Sequence, residues 1–224
     1  MTRELWFTGA ALLSCLSLSA SLYAQSAANL AEQMKSAKDE KTVIKLRDDL
    51  ARMGKEGAAA LESVVLADSA AAANVRVSAA LALEKMAEDS SGAFGTSELD
   101  RHTADKNPGV RYLAFKGLLS PATRYPKASA LTAEALKDPS APIRLMAIRS
   151  LAEPKPLAEV IVNPKEEREV KEQAEEVFKT LTGSSFGLAL AVKRDPTNPK
   201  GVVADPDKEK AVIAKYEEWL KKNR

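Results

Sequence analysis

One imidazole and one thiol set the outer limit of the side-chain chemistry open to this 224-residue chain. The imidazole is His102, flanked by Asp100 and Asp105 on a short predicted helix. A histidine base needs a nucleophile or a held water within hydrogen-bond reach, and the neighbouring sequence supplies neither. One Cys and one His also exclude a Cys/His zinc site and a disulfide framework within one chain. The acidic run Glu166, Glu167, Glu169, Glu172, Glu175 and Glu176 has the residue types for cation binding. Lys165, Arg168, Lys171 and Lys179 interleave with it at helical spacing, which predicts a solvated, salt-bridged helix instead. Gly183-Ser184-Ser185-Phe186-Gly187 follows no strand and lacks the lysine of a phosphate-binding loop. The expectation is a non-enzyme with no catalytic residues, no metal and no cofactor.

Composition narrows the partners. The 33 basic and 31 acidic side chains leave a net charge of +2, too small an excess for a phosphate-tracking surface. Aromatics are 5%, which argues against a base-stacking platform, so nucleic acid is not expected. The 45% apolar content suffices for a packed core.

Residues 1–24 read differently from the remainder. After Arg3, the stretch Leu5 to Leu18 is uncharged and mostly apolar. It has the length of a signal-peptide core and falls short of the roughly 20 residues of a membrane span. Cleavage after Ala24 leaves Gln25 first, with Ala20, Ser26 and Ala27 as other cut points. Leu12-Leu13-Ser14-Cys15 offers the alternative of a lipid anchor on Cys15, and an uncleaved anchor is a third reading. A chain cut after Ala24 has no Cys, which suits an oxidising compartment. The expected location is the periplasm or the cell exterior, with membrane contact only through the signal or a lipid on Cys15.

The remaining sequence is rich in Ala, Leu, Glu and Lys and reads as helical. Four segments align without gaps: Val75–Leu83, Val110–Leu118, Ile143–Leu151 and Val170–Phe178. Each opens on a β-branched residue followed by a cation: Arg76, Arg111, Arg144 or Lys171. Ala79, Ala114, Ala147 and Ala174 stand four places on, and Leu83, Leu118, Leu151 and Phe178 eight places on. These offsets form one helical stripe, with the alanine admitting a close neighbour. The starts lie 35, 33 and 27 residues apart, the length of one helix-turn-helix unit. Asp68, Asp105, Asp138 and Asn163 precede the stripes and suit turns, where their oxygens accept free backbone N–H groups. Before each turn lies a shorter apolar segment, Leu61–Ala67, Leu99–Ala104, Leu131–Lys137 or Leu157–Val162, which predicts a first helix. Thr42–Met53 reads as a degenerate first repeat, Asp89–Thr96 as a mobile loop and Thr123–Lys127 as a second loop.

Asp138-Pro139 to Leu151 fits the pattern Asp-Pro-x-x-x-Val-Arg-x-x-Ala-x-x-x-Leu with Ile143 for Val. The second copy lacks the Pro, and the fourth carries Lys171 for Arg and two extra residues. At these residues the chain resembles the HEAT family of helical repeats, in the short bacterial form related to phycobilisome-lyase-type HEAT repeats. The resemblance covers about two-thirds of the chain, Lys35 to Gly183. It implies an α-solenoid of the kind used mostly to bind proteins, although a fold does not fix a function. It also implies structural roles at Val75, Arg76, Ala79, Val110, Arg111, Ala114, Ile143, Arg144 and Ala147. The cations would bridge to turn carboxylates, for which Asp68, Asp105 and Asp138 are available. Leu181-Thr182-Gly183, then Phe186-Gly187, then a helix bearing Trp219, is similar to the ending of exported HEAT-like proteins. That helix is expected from Pro206 or Asp207 to about Lys222, with Phe186 and Trp219 covering the end of the core.

Offsets 2 and 6 of each stripe lie off the buried face. They hold Val77 and Leu81, Tyr112 and Lys116, Leu145 and Arg149, and Glu172 and Glu176. Tyr112, Lys116, Leu145 and Arg149 are the candidate contacts to a protein partner, since Tyr and Arg commonly anchor interfaces. The expected architecture is all-α, an α-α superhelix (HEAT-like solenoid) with a C-terminal helical cap. Residues 1–24 would be a signal peptide, 25–183 the repeats and 184–224 the capping extension. The expected function is an exported, non-catalytic protein-binding scaffold of the cell envelope. A lyase-like or ligand-binding HEAT protein and a lipid-anchored subunit of an envelope complex are the alternatives.

Overall fold

A computed structural model describes residues 25–198 and 201–223. The expected signal segment, its cut at Ala24 and the Cys15 anchor lie outside the described residues. The described chain is all-α apart from one short ribbon, and none of its helices is long and apolar enough to cross a membrane. It divides into two compact units at Ala128/Ser129.

In the first unit, helix α1 covers residues 25–36 and buries Ala27, Ala31 and Met34. Helix α2 (Glu40–Arg52) starts on Asp39, whose carboxylate accepts the Thr42 N–H at 2.9 Å. Its apolar stripe Val43, Leu46 and Leu50 is buried. Helix α3 (Lys55–Ala60) continues into a π-helical turn, Leu61–Leu66. Helix α4 (Ala73–Asp89) packs on α2, on that turn, on α5 (Thr96–Asp100) and on α6 (Pro108–Leu119). Gly117 lets these helices close up: a Cβ there would sit 2.6 Å from Leu99 Cδ1 and 3.2 Å from Glu84 Cα. The segment 89–96, expected to be a mobile loop, is bonded in place. Gly92 N–H donates to the Ala87 carbonyl at 2.7 Å, and Phe94 N–H donates to Ser90 Oγ at 3.0 Å.

The second unit holds α7 (Ala128–Ala135), α8 (Ala141–Arg149), α9 (Pro154–Val162) and α10 (Arg168–Thr182). Helix α10 packs on both α8 and α9. It stops at Gly183, whose left-handed backbone at φ +71° brings its N–H to the Lys179 carbonyl at 2.8 Å. A 3₁₀ turn (Leu188–Leu190) leads into β1 (Val192–Arg194), which pairs antiparallel with β2 (Val202–Ala204), Lys193 opposite Val203. The sequence carries no strand signal here, because three residues on each side of a proline-containing turn show no alternation. Helix α11 (Pro206–Lys222) has the expected bounds and packs on α9. Its Tyr216 and Trp219 meet Phe178 edge-on, with ring centres 5.2 and 4.9 Å apart, and Phe186 meets Tyr216 at 4.7 Å. Such pairs stabilise by about 1 kcal/mol each beyond simple area burial.

The repeat stripe is buried where the spacing predicts. Val75, Val110, Ile143 and Val170 at its start, and Ala79, Ala114, Ala147 and Ala174 four places on, are all buried. Leu151 is the departure. Helix α8 ends at Arg149, so Leu151 falls in the connection to α9 and is only partly covered.

Candidate functional site

The four turn residues preceding the stripes do the same thing. Asp68 accepts the N–H of Ala70 at 2.9 Å, Asp105 that of Asn107 at 2.8 Å, Asp138 that of Ser140 at 2.8 Å and Asn163 that of Lys165 at 3.0 Å. They are turn makers rather than helix caps; the cap of α6 is Asn107, which accepts from Gly109 at 2.9 Å. The stripe cations bind these turns. Arg76 donates to the Leu66 carbonyl at 3.0 Å and reaches forward to the Asp105 carboxylate. Arg111 donates to the Asp105 carbonyl at 2.8 Å, and Arg144 to the Asp138 carbonyl at 2.9 Å. Arg144 also reaches forward, to Glu166 Oε1 at 2.8 Å, and Lys171 to Glu209 at 3.4 Å. Burial alone would raise the Asp105 carboxyl. Arg76, the Asn107 N–H and His102 outweigh it and hold that carboxyl below the ordinary range.

His102 sits between two carboxylates, with Nε2 3.5 Å from Glu62 Oε1 and Nδ1 3.5 Å from Asp105 Oδ2. Arg101 and Arg76 pair with those same carboxylates. Nε2 is buried without a hydrogen-bond partner, and a neutral imidazole has one N–H to share between two acceptors. The ring is part of the turn packing. Among the described residues no group of three or more His, Cys, Asp or Glu is placed to hold a metal ion.

Three of the candidate partner contacts, Lys116, Leu145 and Arg149, line open grooves. In the first unit a groove of about 240 Å³ runs between α2, α4 and α6, and includes Leu81 and Lys116. A neighbouring groove of about 780 Å³ shares Arg47, Asp48 and Lys85 with it and extends to Phe94. Its charges are paired internally: Arg47 with Asp48 at 2.7 Å and Lys85 with Asp89 at 3.0 Å. Lys116 is paired too, its Nζ 3.0 Å from the buried Glu84, whose charge raises the lysine above its ordinary range. Its first duty is therefore inside the fold. Tyr112, one turn earlier on α6, is half-buried.

In the second unit Leu145 and Arg149 form one wall of a groove of about 580 Å³. Glu169, Glu172, Gln173, Glu176 and Lys179 of α10 and the turn bearing Leu190 also line it. Arg149 donates to Gln173 Oε1 at 3.0 Å. The expected solvated helix is more committed than its charge pattern suggests, because the second unit folds back over it. Glu166 and Lys171 are tied up in the pairs above. Glu175 is buried, and accepts from Tyr216 Oη at 2.8 Å, Gly187 N–H at 2.9 Å and Ala189 N–H at 3.3 Å. Burial would raise that carboxyl, but the backbone N–H groups and the Tyr216 hydroxyl hold it below the ordinary range. The Tyr216 hydroxyl moves the opposite way, pushed up by burial and by the carboxylate it bonds. Arg168 adds bonds to the Leu188 and Ala191 carbonyls at 3.1 and 3.4 Å.

The spacing of the final helix already puts Tyr216 on its apolar face, where it is buried; sequence reasoning missed its bond to Glu175, and missed Leu190. One signal was available: Glu175 stands next to Ala174 of the buried stripe, so a carboxylate there needs internal partners. No protein-family model matches this chain, and no curated protein matches it.

Proposed function

We propose that the chain is a non-catalytic protein-binding scaffold of the HEAT-like type, exported to the periplasm or beyond. In this reading its helix pairs stack as an α-α superhelix closed by the C-terminal helix. One observation carries the proposal. Offsets 2 and 6 of the stripes, chosen because they lie off the core, line open grooves in each unit: Leu81 and Lys116 in the first, Leu145, Arg149, Glu172 and Glu176 in the second. A face that repeats and stays open between rigid helices suits a broad protein contact. The half-buried Arg76–Asp105 and Arg144–Glu166 pairs and the Glu175 cluster give that face a fixed backing. Lys116 is better left out of a test, since its loss would strand Glu84.

Affinity capture from an envelope extract tests the reading, with the exported chain and its Tyr112→Ala/Leu145→Ala/Arg149→Ala variant as baits. The expected outcome is a partner retained by the first and lost by the second, at equal helical content by circular dichroism. Equal recovery by both baits rejects this face. The mass of the mature N-terminus tests export: a start at Gln25 supports cleavage, and an acylated Cys15 would show a lipid anchor.

A further inference from the structure

His102 is the only imidazole of the chain, and the fold buries it: its side chain is 10% exposed. Each ring nitrogen faces a carboxylate oxygen at the same 3.5 Å, Nε2 that of Glu62 and Nδ1 that of Asp105. The two carboxylates come from different elements, Glu62 from the π-helical turn after α3 and Asp105 from the turn before α6. Three arginines complete the cluster. Arg101 donates to Oε2 of Glu62 at 3.0 Å and leaves Oε1 to the ring. Arg76 of α4 pairs with the Asp105 carboxylate and donates to the Leu66 carbonyl, and Arg111 of α6 donates to the Asp105 carbonyl. A neutral imidazole carries one N–H. Wherever that hydrogen sits, the other nitrogen turns a lone pair toward a carboxylate oxygen. Nε2 is the one buried side-chain nitrogen or oxygen without a hydrogen-bond partner among the described residues, and such an atom needs a physical account. Only the doubly protonated ring donates both ways.

We propose that His102 is a proton-operated clamp: its doubly protonated ring donates to Glu62 and Asp105 at once and ties the π-helical turn to the turn before α6, and its neutral ring releases one of them. Charge-assisted contacts of this kind close to about 2.8 Å, so protonation draws the two turns together. They close along the junction that Arg76 already spans from Leu66 to Asp105. Arg101 does not do the same work, because its side chain is 61% exposed and a pair in water contributes little. The sign follows from proton linkage: stability falls with rising pH wherever the folded chain binds more protons than the unfolded one. The second N–H finds its carboxylate only in the folded chain, so the first unit is firmer at pH 6 than at pH 8. Asp105 and Glu175 are both held below the ordinary carboxylate range and stay ionised across that window. The clamp lies within the first unit and does not depend on the scaffold reading.

The test is unfolding of the full chain in urea at pH 6 and at pH 8. The wild type should show a folded-to-unfolded ratio about fivefold higher at pH 6. His102→Gln should abolish that difference and Glu62→Gln should shrink it. Since the chain has one histidine, its ring nitrogen resonances are unambiguous. They should report hydrogen on both nitrogens at pH 6. As pH is raised one is lost, in step with falling amide-exchange protection at residues 62–66 and 105–107. A wild-type ratio that is equal or lower at pH 6, or an undiminished difference in either folded variant, overturns the inference. Loss of the ring proton with the protection of both turns unchanged overturns it as well, and that readout requires no variant to fold.

Discussion

The two units treat the charges along their grooves differently. In the first, groove charges neutralise one another: Arg47 with Asp48, Lys85 with Asp89, Lys116 with Glu84. In the second, the buried Glu175 turns inward onto Tyr216 and the 187–189 backbone, while Glu169, Glu176, Lys179 and Arg149 stay along the groove beside an exposed leucine. A repeat therefore sets where a side chain points, and its neighbours decide whether it is consumed by the fold or left for a partner. The charged nodes behind the grooves differ in kind as well. Arg76–Asp105 is an ion pair between α4 and the turn before α6, whereas Glu175 is one carboxylate collecting neutral donors from a separate segment.

That difference can be broken from either side. The largest effect belongs to Glu175→Ala, which strands the Tyr216 hydroxyl and two backbone N–H groups; unfolding in urea should show a loss of about 3 kcal/mol. Arg76→Ala removes the cation beside half-buried Asp105, but that carboxylate keeps the Asn107 N–H. Its loss should therefore be smaller, about 2 kcal/mol by the same measurement. Acid sharpens the comparison. Both Asp105 and Glu175 titrate below their ordinary values in the folded chain. A depressed carboxyl stabilises the fold while ionised, so its contribution is complete above the unfolded value near pH 4 and is lost as pH falls through the lower folded value. Denaturation midpoints measured from pH 6 down to pH 2 should fall in the wild type, and fall less steeply in Glu175→Gln and Asp105→Asn. The smallest effect is at Gly183, where a Cβ meets nothing within 4 Å but φ is +71°. Gly183→Ala should cost about 1 kcal/mol through backbone strain alone, read as a small drop in melting temperature.

Much of the helical frame was legible in the sequence. The β-branched residue, cation and alanine at offsets 0, 1 and 4 repeat with the helical period, and the period follows from burial of one face. Asp68, Asp105, Asp138 and Asn163 were legible as turn residues because a short side-chain oxygen reaches a backbone N–H two places on. Less visible were contacts that join distant segments. Nothing local to Glu175 announces Tyr216, which lies 41 residues away. Lys116 and Arg149 read alike as surface cations, yet Lys116 answers a buried carboxylate on α4 and Arg149 only a neutral amide. The ribbon at Val192–Arg194 and Val202–Ala204 escaped for a different reason, being held by its pairing and by the Lys208 bond to the Val192 carbonyl rather than by any pattern of its own.

The central claim is that the repeated face at offsets 2 and 6 is where a partner sits. Site-specific photo-crosslinking in cells tests it most directly, with a benzoylphenylalanine placed singly at Tyr112, at Leu145, and at the exposed Glu134 of α7 as a position off the repeated offsets. The account predicts the same covalent adduct from Tyr112 and Leu145 and none from Glu134. An adduct from Glu134 alone, or no adduct from either Tyr112 or Leu145, would contradict it.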